Sequence, residues 1–203
     1  MTAWLKEAEG YSEKQWQRLI IDIVLLLFPR YVAVLENVNV KDFYSSPGKT
    51  KDRYIDLCLV DASGSLDIIE IKKPFDGALL SRSPYRGNLT PAKELAGSIM
   101  QAEKYIFHLS KWGHRGEHKI LQKHGDKLPA GMNVKITNPK AMIILGRDRL
   151  PNGHPIWNSS ELLDFEVIRR KYSNLLDVIT YDDLLRRLNN IIASLERRRA
   201  VVS

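Results

Sequence analysis

The chain has 203 residues, 44% of them hydrophobic and 8% aromatic, and a formal net charge of +7. That length fits one domain spanning 1–203 with a substantial core, and a single cysteine, Cys58, excludes an internal disulfide and a cysteine-rich zinc site. The N-terminus lacks an apolar leader, and the longest apolar stretch (19–28) is interrupted by Asp22 and too short for a bilayer, so a cytoplasmic protein without membrane attachment is expected.

Residues 11–28 read as a first helix. Ser12 and Gln15 have capping-box spacing, and Trp16, Leu19, Ile20, Ile23, Val24 and Leu27 form a helical stripe stopped by Pro29. Glu13 lies one turn before Trp16 and heads that stripe. An acid in the first turn also suits the helix dipole. Val38 and Val40 alternate with polar residues and suggest a strand over 36–43. A turn-rich basic link (45–51) leads to the most informative segment, RYIDLCLVDASGSLDIIEIKKP (53–74).

Two β-prone runs flank the turn Asp61-Ala62-Ser63-Gly64-Ser65, which reads as a hairpin. With the turn centred on Ser63, Val60 opposes Leu66, Cys58 opposes Ile68 and Asp56 opposes Glu70. Opposed side chains stand about 5 Å apart, and like charges at that spacing repel. A cation between the two carboxylates would relieve the repulsion. Lys72 shares the face of Glu70, while Lys73 points the other way. That arrangement suits metal-dependent phosphodiester chemistry.

Residues 74–91 (PFDGALLSRSPYRGNLTP) read as a long loop that orders on DNA, with Arg82, Tyr85 and Arg86 as its contacts. Thr90 and Pro91 have N-cap and first-position chemistry for a second helix. Its stripe is Leu95, Ile99, Ala102, Ile106 and Leu109, with Gln101, Tyr105 and His108 on an adjacent face. Residues 141–146 (AMIILG) suggest a buried strand. Ser159 or Ser160 would cap a helix to about Tyr172, residues 178–181 suggest a short strand, and Thr180 with Asp183 would cap an amphipathic final helix. The order is α-β-β-β-α-β over about 11–149, followed by a helical extension over about 159–199.

Asp56 followed by Glu70-x-Lys72, with Gln101 and Tyr105 in a Q-x-x-x-Y pattern downstream, resembles the PD-(D/E)xK nuclease superfamily. The run from Asp56 through ELAGSIMQAEKY, LPAGMNVKITNPKAMIILGR and VITYDDLL resembles more narrowly the nuclease domain of the Shedu antiphage-defence family. One departure is Ile55 where the pattern has proline. The resemblance implies an α/β, restriction endonuclease-like core with a mixed central sheet flanked by helices. It implies a Mg²⁺-dependent DNA endonuclease, with Mn²⁺ able to substitute, acting on double-stranded phage or plasmid DNA as a homo-oligomer. Asp56, Glu70, the Ile71 carbonyl and Glu13 would be metal ligands. Asp56, Glu70, Lys72 and Gln101 would be catalytic, and Tyr105 would join Arg82, Tyr85 and Arg86 in contacting DNA.

Charge distribution fits a polyanionic partner. Residues 1–70 hold 8 Lys/Arg against 11 Asp/Glu, whereas residues 71–158 hold 15 against 6. The positive excess begins at the Glu-x-Lys strand, where phosphate contacts would be needed. Two other classes compete. A catalytically silent nucleic-acid-binding or oligomerising module of the same fold would retain the charge and lose the chemistry. His114-x-x-Glu117-His118 matches an inverted zinc-peptidase signature, but Gly113 and Gly116 bracket it and a basic loop is expected.

Overall fold

The computed structural model describes residues 1–7, 10–46, 48–74 and 78–202. A short helix α1 (Thr2–Lys6) precedes α2 (Glu13–Leu27), then come strands β1 (Tyr31–Asp42), β2 (Lys51–Asp61) and β3 (Leu66–Ile71). Helix α3 (Lys93–His124), β4 (Ala141–Ile144), α4 (Ser159–Tyr172), β5 (Leu176–Ile179) and α5 (Tyr181–Val202) complete the chain. The strands form one mixed sheet in the order β1-β2-β3-β4-β5. β1, β2 and β3 are antiparallel neighbours, while β3-β4 and β4-β5 are parallel.

The sheet lies between two helical layers. Trp16, Ile20 and Val24 of α2 and Leu184 of α5 pack with Leu57, Leu59, Ile69, Ile71, Ile144 and Ile179. On the other face, Leu95, Ile99, Ala102 and Leu109 of α3 and Phe165 and Ile168 of α4 meet Cys58, Val60, Ile68 and Ile143. Every residue of β3 and β4 is buried, as expected for strands covered on both faces. Glu70 is therefore a carboxylate in the centre of an apolar sheet.

Several expectations hold. The Ser12–Gln15 capping box forms, and the Thr180 hydroxyl accepts the Asp183 amide at 3.0 Å. Val60 pairs with Leu66 and Cys58 with Ile68. In the turn, the Asp61 carboxylate accepts amides from Ser63 and Ser65, each at 2.9 Å. The segment after residue 159 is more than a helical addition, because β5 extends the central sheet.

Other expectations are corrected. Thr90 does not cap α3, which starts at Lys93 after Ala92. The Thr90 carbonyl accepts the Ser81 amide at 2.8 Å, and the Ala92 amide donates to the Leu79 carbonyl at 2.9 Å. This pairing holds the chain extended where a cap would have turned it. Residues 78–92 thus form an ordered excursion anchored by buried Leu79 and Leu80, with a tight turn at Arg86 (φ 50°) and Gly87 (φ 81°). Part of the expected loop, residues 75–77, lies outside the described residues. Asn158 rather than Ser159 or Ser160 caps α4, pairing reciprocally with Glu161.

The His114–His118 segment is helical, not a loop. Gly113 (φ 51°, ψ −136°) kinks α3, and the helix resumes to His124. Glycine tolerates this conformation without a Cβ clash, so it redirects the helix here instead of ending it. Gly116 packs against Trp112 and Ile136, where a Cβ would come within 2.7 Å of the Trp112 ring.

Candidate active site

Strands β1 and β2 change face together beside the hairpin. Leu35 pairs with Cys58 and Val38 with Ile55, and all four belong to the same core layer. The members on each strand are three positions apart, an odd interval that strict alternation would send to opposite faces. The switch falls at Asn37, which has φ 54°, and at Asp56 across from it. Asp56 therefore stands at a break in the pleat, half-buried beside Leu57, Asn37, the α2 N-cap Ser12 and the α2 residues Gln15 and Gln17.

The β2-β3 register runs Val60–Leu66, Cys58–Ile68, Leu57–Ile69. One step further are Asp56 and Glu70, whose charges act on one another. Glu70 is only 1% exposed. Burial, opposed by Lys72 and reinforced by the charges of Asp56 and Glu13, pushes its carboxyl up to about 7. Burial also raises Asp56, while the Ile71 amide, the Lys72 charge and the Gln17 side chain pull it back. Lys72 Nζ lies 2.7 Å from Glu70 Oε1. Burial works against the ammonium, but Glu70, Glu13 and Asp56 together raise its pKa, so it stays charged.

The two helical layers supply the walls. Glu13 at the start of α2 contributes negative charge to Glu70 and Lys72. From α3, Gln101 Nε2 donates to the Tyr105 hydroxyl at 3.1 Å, which donates to the Tyr54 carbonyl at 2.9 Å. Tyr105 feels the charges of Glu70, Asp56 and Lys72. It is buried, so its hydroxyl clamps α3 to β2 two residues before Asp56. Gln101, Tyr105, Arg53 and Lys104 line a shallow groove between α3 and β2.

The donor set suits a hard divalent cation. Glu70 Oε2 is buried and has no hydrogen-bond partner among the described residues. A buried carboxylate oxygen left bare is costly, and a cation would satisfy it. No group of three or more His, Cys, Asp or Glu side chains is assembled for a metal among the described residues. Mg²⁺ does not require one, since it is commonly held by one or two carboxylates with waters and substrate oxygens completing the shell.

The family model for the Shedu protein SduA C-terminal region matches residues 10–185, from the start of α2 into α5. The chain belongs to the Shedu family. Its matched span covers all five strands and every side chain of the carboxylate site, so the site lies inside the Shedu domain. A search of curated proteins finds no match. No helix among the described residues of this Shedu chain is long and apolar enough to cross a membrane.

Of the remaining residues expected at the site, Arg82, Tyr85 and Arg86 are exposed on the 78–92 excursion, away from the hairpin in sequence. The Arg86 guanidinium lies over the Tyr85 ring, 5.4 Å from its centroid. The peptidase motif is not assembled for catalysis. His114 and His118 meet with their Nε2 atoms 3.1 Å apart, but Glu117 accepts the Ile136 amide at 2.7 Å and serves as a structural anchor.

Sequence reasoning missed Tyr181. Its hydroxyl donates to the Lys72 carbonyl at 2.7 Å, while the Lys72 amide donates to the Ile144 carbonyl at 2.9 Å. Both backbone groups of Lys72 are thus fixed. The only signal in the sequence was an aromatic residue next to the final helix cap, and nothing local connects residue 181 to residue 72.

Proposed function

We propose that this Shedu domain is a Mg²⁺-dependent DNA endonuclease of the PD-(D/E)xK type, acting in antiphage defence. The observation that carries this reading is the juxtaposition of Asp56 and buried Glu70, with Lys72 Nζ 2.7 Å from Glu70 Oε1. A mixed sheet covered on both faces, with the carboxylates on its central hairpin, supports a restriction endonuclease-like core. Family membership suggests antiphage defence.

Asp56 and Glu70 would hold the ion, with the Ile71 carbonyl as a further donor and Glu13 adding negative charge. A bound Mg²⁺ would polarise the scissile phosphate and lower the pKa of the attacking water. Lys72, kept as an ammonium by three acids, neutralises the charge that grows on the phosphoryl oxygens. A raised pKa makes it a poor proton acceptor, so its role is electrostatic. Gln101 and Tyr105 fix the α3 wall against which the substrate backbone rests. Arg82, Tyr85 and Arg86 project from the 78–92 excursion and make outlying DNA contacts.

The test is cleavage of supercoiled and linear double-stranded DNA with Mg²⁺, Mn²⁺ or EDTA, beside folded Asp56→Ala, Glu70→Ala and Lys72→Ala proteins. Cutting that needs the metal and disappears in each variant is the expected result. Undiminished cutting by the variants would assign any activity elsewhere. A folded parent that binds DNA but cuts none of it would point to a silent binding module.

A further inference from the structure

Beyond the carboxylate site, an open cleft of about 1060 Å³ lies between the β1-β2 arm and the part of α3 that follows the Gly113 kink. This exceeds the usual small-molecule pocket of about 300–1000 Å³. Its lining combines cations with aromatic rings. Lys41, Arg115, Lys119 and Lys123 contribute positive charge, and Phe43 and Tyr54 present ring surface. Asp52, the one acid on the lining among the described residues, is paired with Lys41. Among the described residues, Arg115, Lys119 and Lys123 have no ion-pair partner, so their charge is available to an outside ligand.

The rings are not core residues that happen to be near the surface. Phe43 is 49% exposed and Tyr54 54% exposed, so both rings are open to a ligand in the cleft. Exposed rings beside unpaired cations match the needs of unpaired nucleobases on a phosphate backbone. Bases stack on the rings while the ammonium and guanidinium groups follow the phosphates. A duplex, whose bases are already stacked on one another, would use the charges and leave the rings idle. Tyr54 also ties the cleft to the carboxylates. It precedes Asp56 by two residues, about 7 Å along the strand, and its carbonyl receives the Tyr105 hydroxyl.

We propose that the cleft lined by Lys41, Phe43, Tyr54, Arg115, Lys119 and Lys123 binds a single-stranded segment of nucleic acid beside the carboxylate site. The proposal rests on the nuclease reading for its purpose, but its physical basis is independent of cleavage. A frayed end or a displaced strand could lie here while the adjoining backbone reaches Asp56 and Glu70. Arg115, Lys119 and Lys123 follow the Gly113 kink in α3 and line the cleft opposite the arm of β1 and β2.

The experiment is fluorescence anisotropy of a labelled oligothymidylate and of a labelled hairpin duplex, in EDTA so that nothing is cut. The parent is compared with Lys119→Ala/Lys123→Ala and with Phe43→Ala, each checked for an unchanged circular dichroism melt. The double variant is expected to lose at least tenfold in single-strand affinity and to flatten the salt dependence, its log–log slope falling by about 0.7 for each phosphate that is no longer neutralised. Phe43→Ala should weaken the single strand severalfold with the salt slope unchanged. Unaltered oligothymidylate binding in both variants overturns the proposal. So does a Phe43→Ala protein that binds single strand as the parent does while the duplex competes equally. Metal-dependent cleavage by a parent whose cleft variants bind normally would retain the nuclease and discard the cleft. The expected binding pattern in a parent that never cuts would do the reverse.

Discussion

The Tyr181 hydroxyl holds the Lys72 carbonyl at 2.7 Å, joining the first residue of the last helix to the last residue of the Glu-x-Lys sequence. Tyr181 is fully buried, with its ring edge-on to Trp16 at 4.9 Å between centroids. Three distant segments thereby set the position of one backbone unit. Tyr181→Phe keeps the ring and removes the hydrogen bond, at a cost of about 1 kcal/mol in urea denaturation. If Lys72 must be fixed for cleavage, the rate should fall roughly tenfold, by that same order of free energy, with substrate binding unchanged. An unchanged rate in a protein weakened by that amount would make the hydrogen bond purely structural.

The pH dependence of Glu70 gives a second prediction. Its carboxyl is pushed by burial from an ordinary 4.5 to about 7 in the folded chain. The folded state therefore takes up the proton more readily than the unfolded one. The stability from this group is full below pH 4.5 and is lost as pH rises through about 7, amounting to on the order of 3 kcal/mol. Without divalent metal, the protein should be more stable at about pH 5.5 than at about pH 8, and Glu70→Gln should reduce that difference. Added Mg²⁺ should raise the melting temperature more at about pH 8 than at about pH 6, because the ion competes with the proton. An equal shift at both values would remove Glu70 as the ligand.

Arg82 and Arg86 test the excursion before α3. Both are exposed, on a scaffold held by the backbone pairing of residues 79–92, by buried Leu79 and Leu80 and by the Leu89 amide donating to Asp164 at 2.8 Å. Arg82→Ala and Arg86→Ala should each weaken duplex binding and lower the salt slope by about one phosphate's share. Residual cleavage at saturating DNA should persist. Slopes identical to that of the parent would show that the excursion lies off the DNA path.

Asp182 anchors the base of the last helix. It is 5% exposed and takes a two-pronged ion pair from Arg147, with Nη2 to Oδ1 at 2.6 Å and Nε to Oδ2 at 3.0 Å, plus the amides of Asp148 and Arg149. Removing the carboxylate strands the Arg147 charge and two amides. Asp182→Ala should therefore destabilise the fold by about 3 kcal/mol or more. Because Asp182 follows Tyr181, any cleavage activity should fall further than stability alone explains. Calorimetry and a cleavage assay on the same sample would separate the two.

Local chemistry made much of this protein legible in its sequence. The α2 capping box, the helical stripes, the hairpin register and the Asp56, Glu70 and Lys72 set follow from spacing and side-chain type, which act over a few residues. Thr90 misled because its capping chemistry was overridden by pairing with Ser81, a partner on the far side of the Arg86–Gly87 turn. Gly113 misled because glycine permits both a helix end and a helix kink, and only packing against the core selects between them.

What the sequence alone determined was which residues carry the candidate chemistry and on which strands they lie. Tertiary structure decided the electrostatics. Glu70 becomes an acid near neutrality chiefly because two helical layers exclude water from β3, with the charges of Asp56 and Glu13 adding to it, and Lys72 stays charged in part because Glu13 is brought from another element. The Tyr181 clamp and the basic cleft likewise depend on chain segments that meet only after folding. Desolvation and long-range charge coupling are properties of assembled volume, and no linear pattern specifies them.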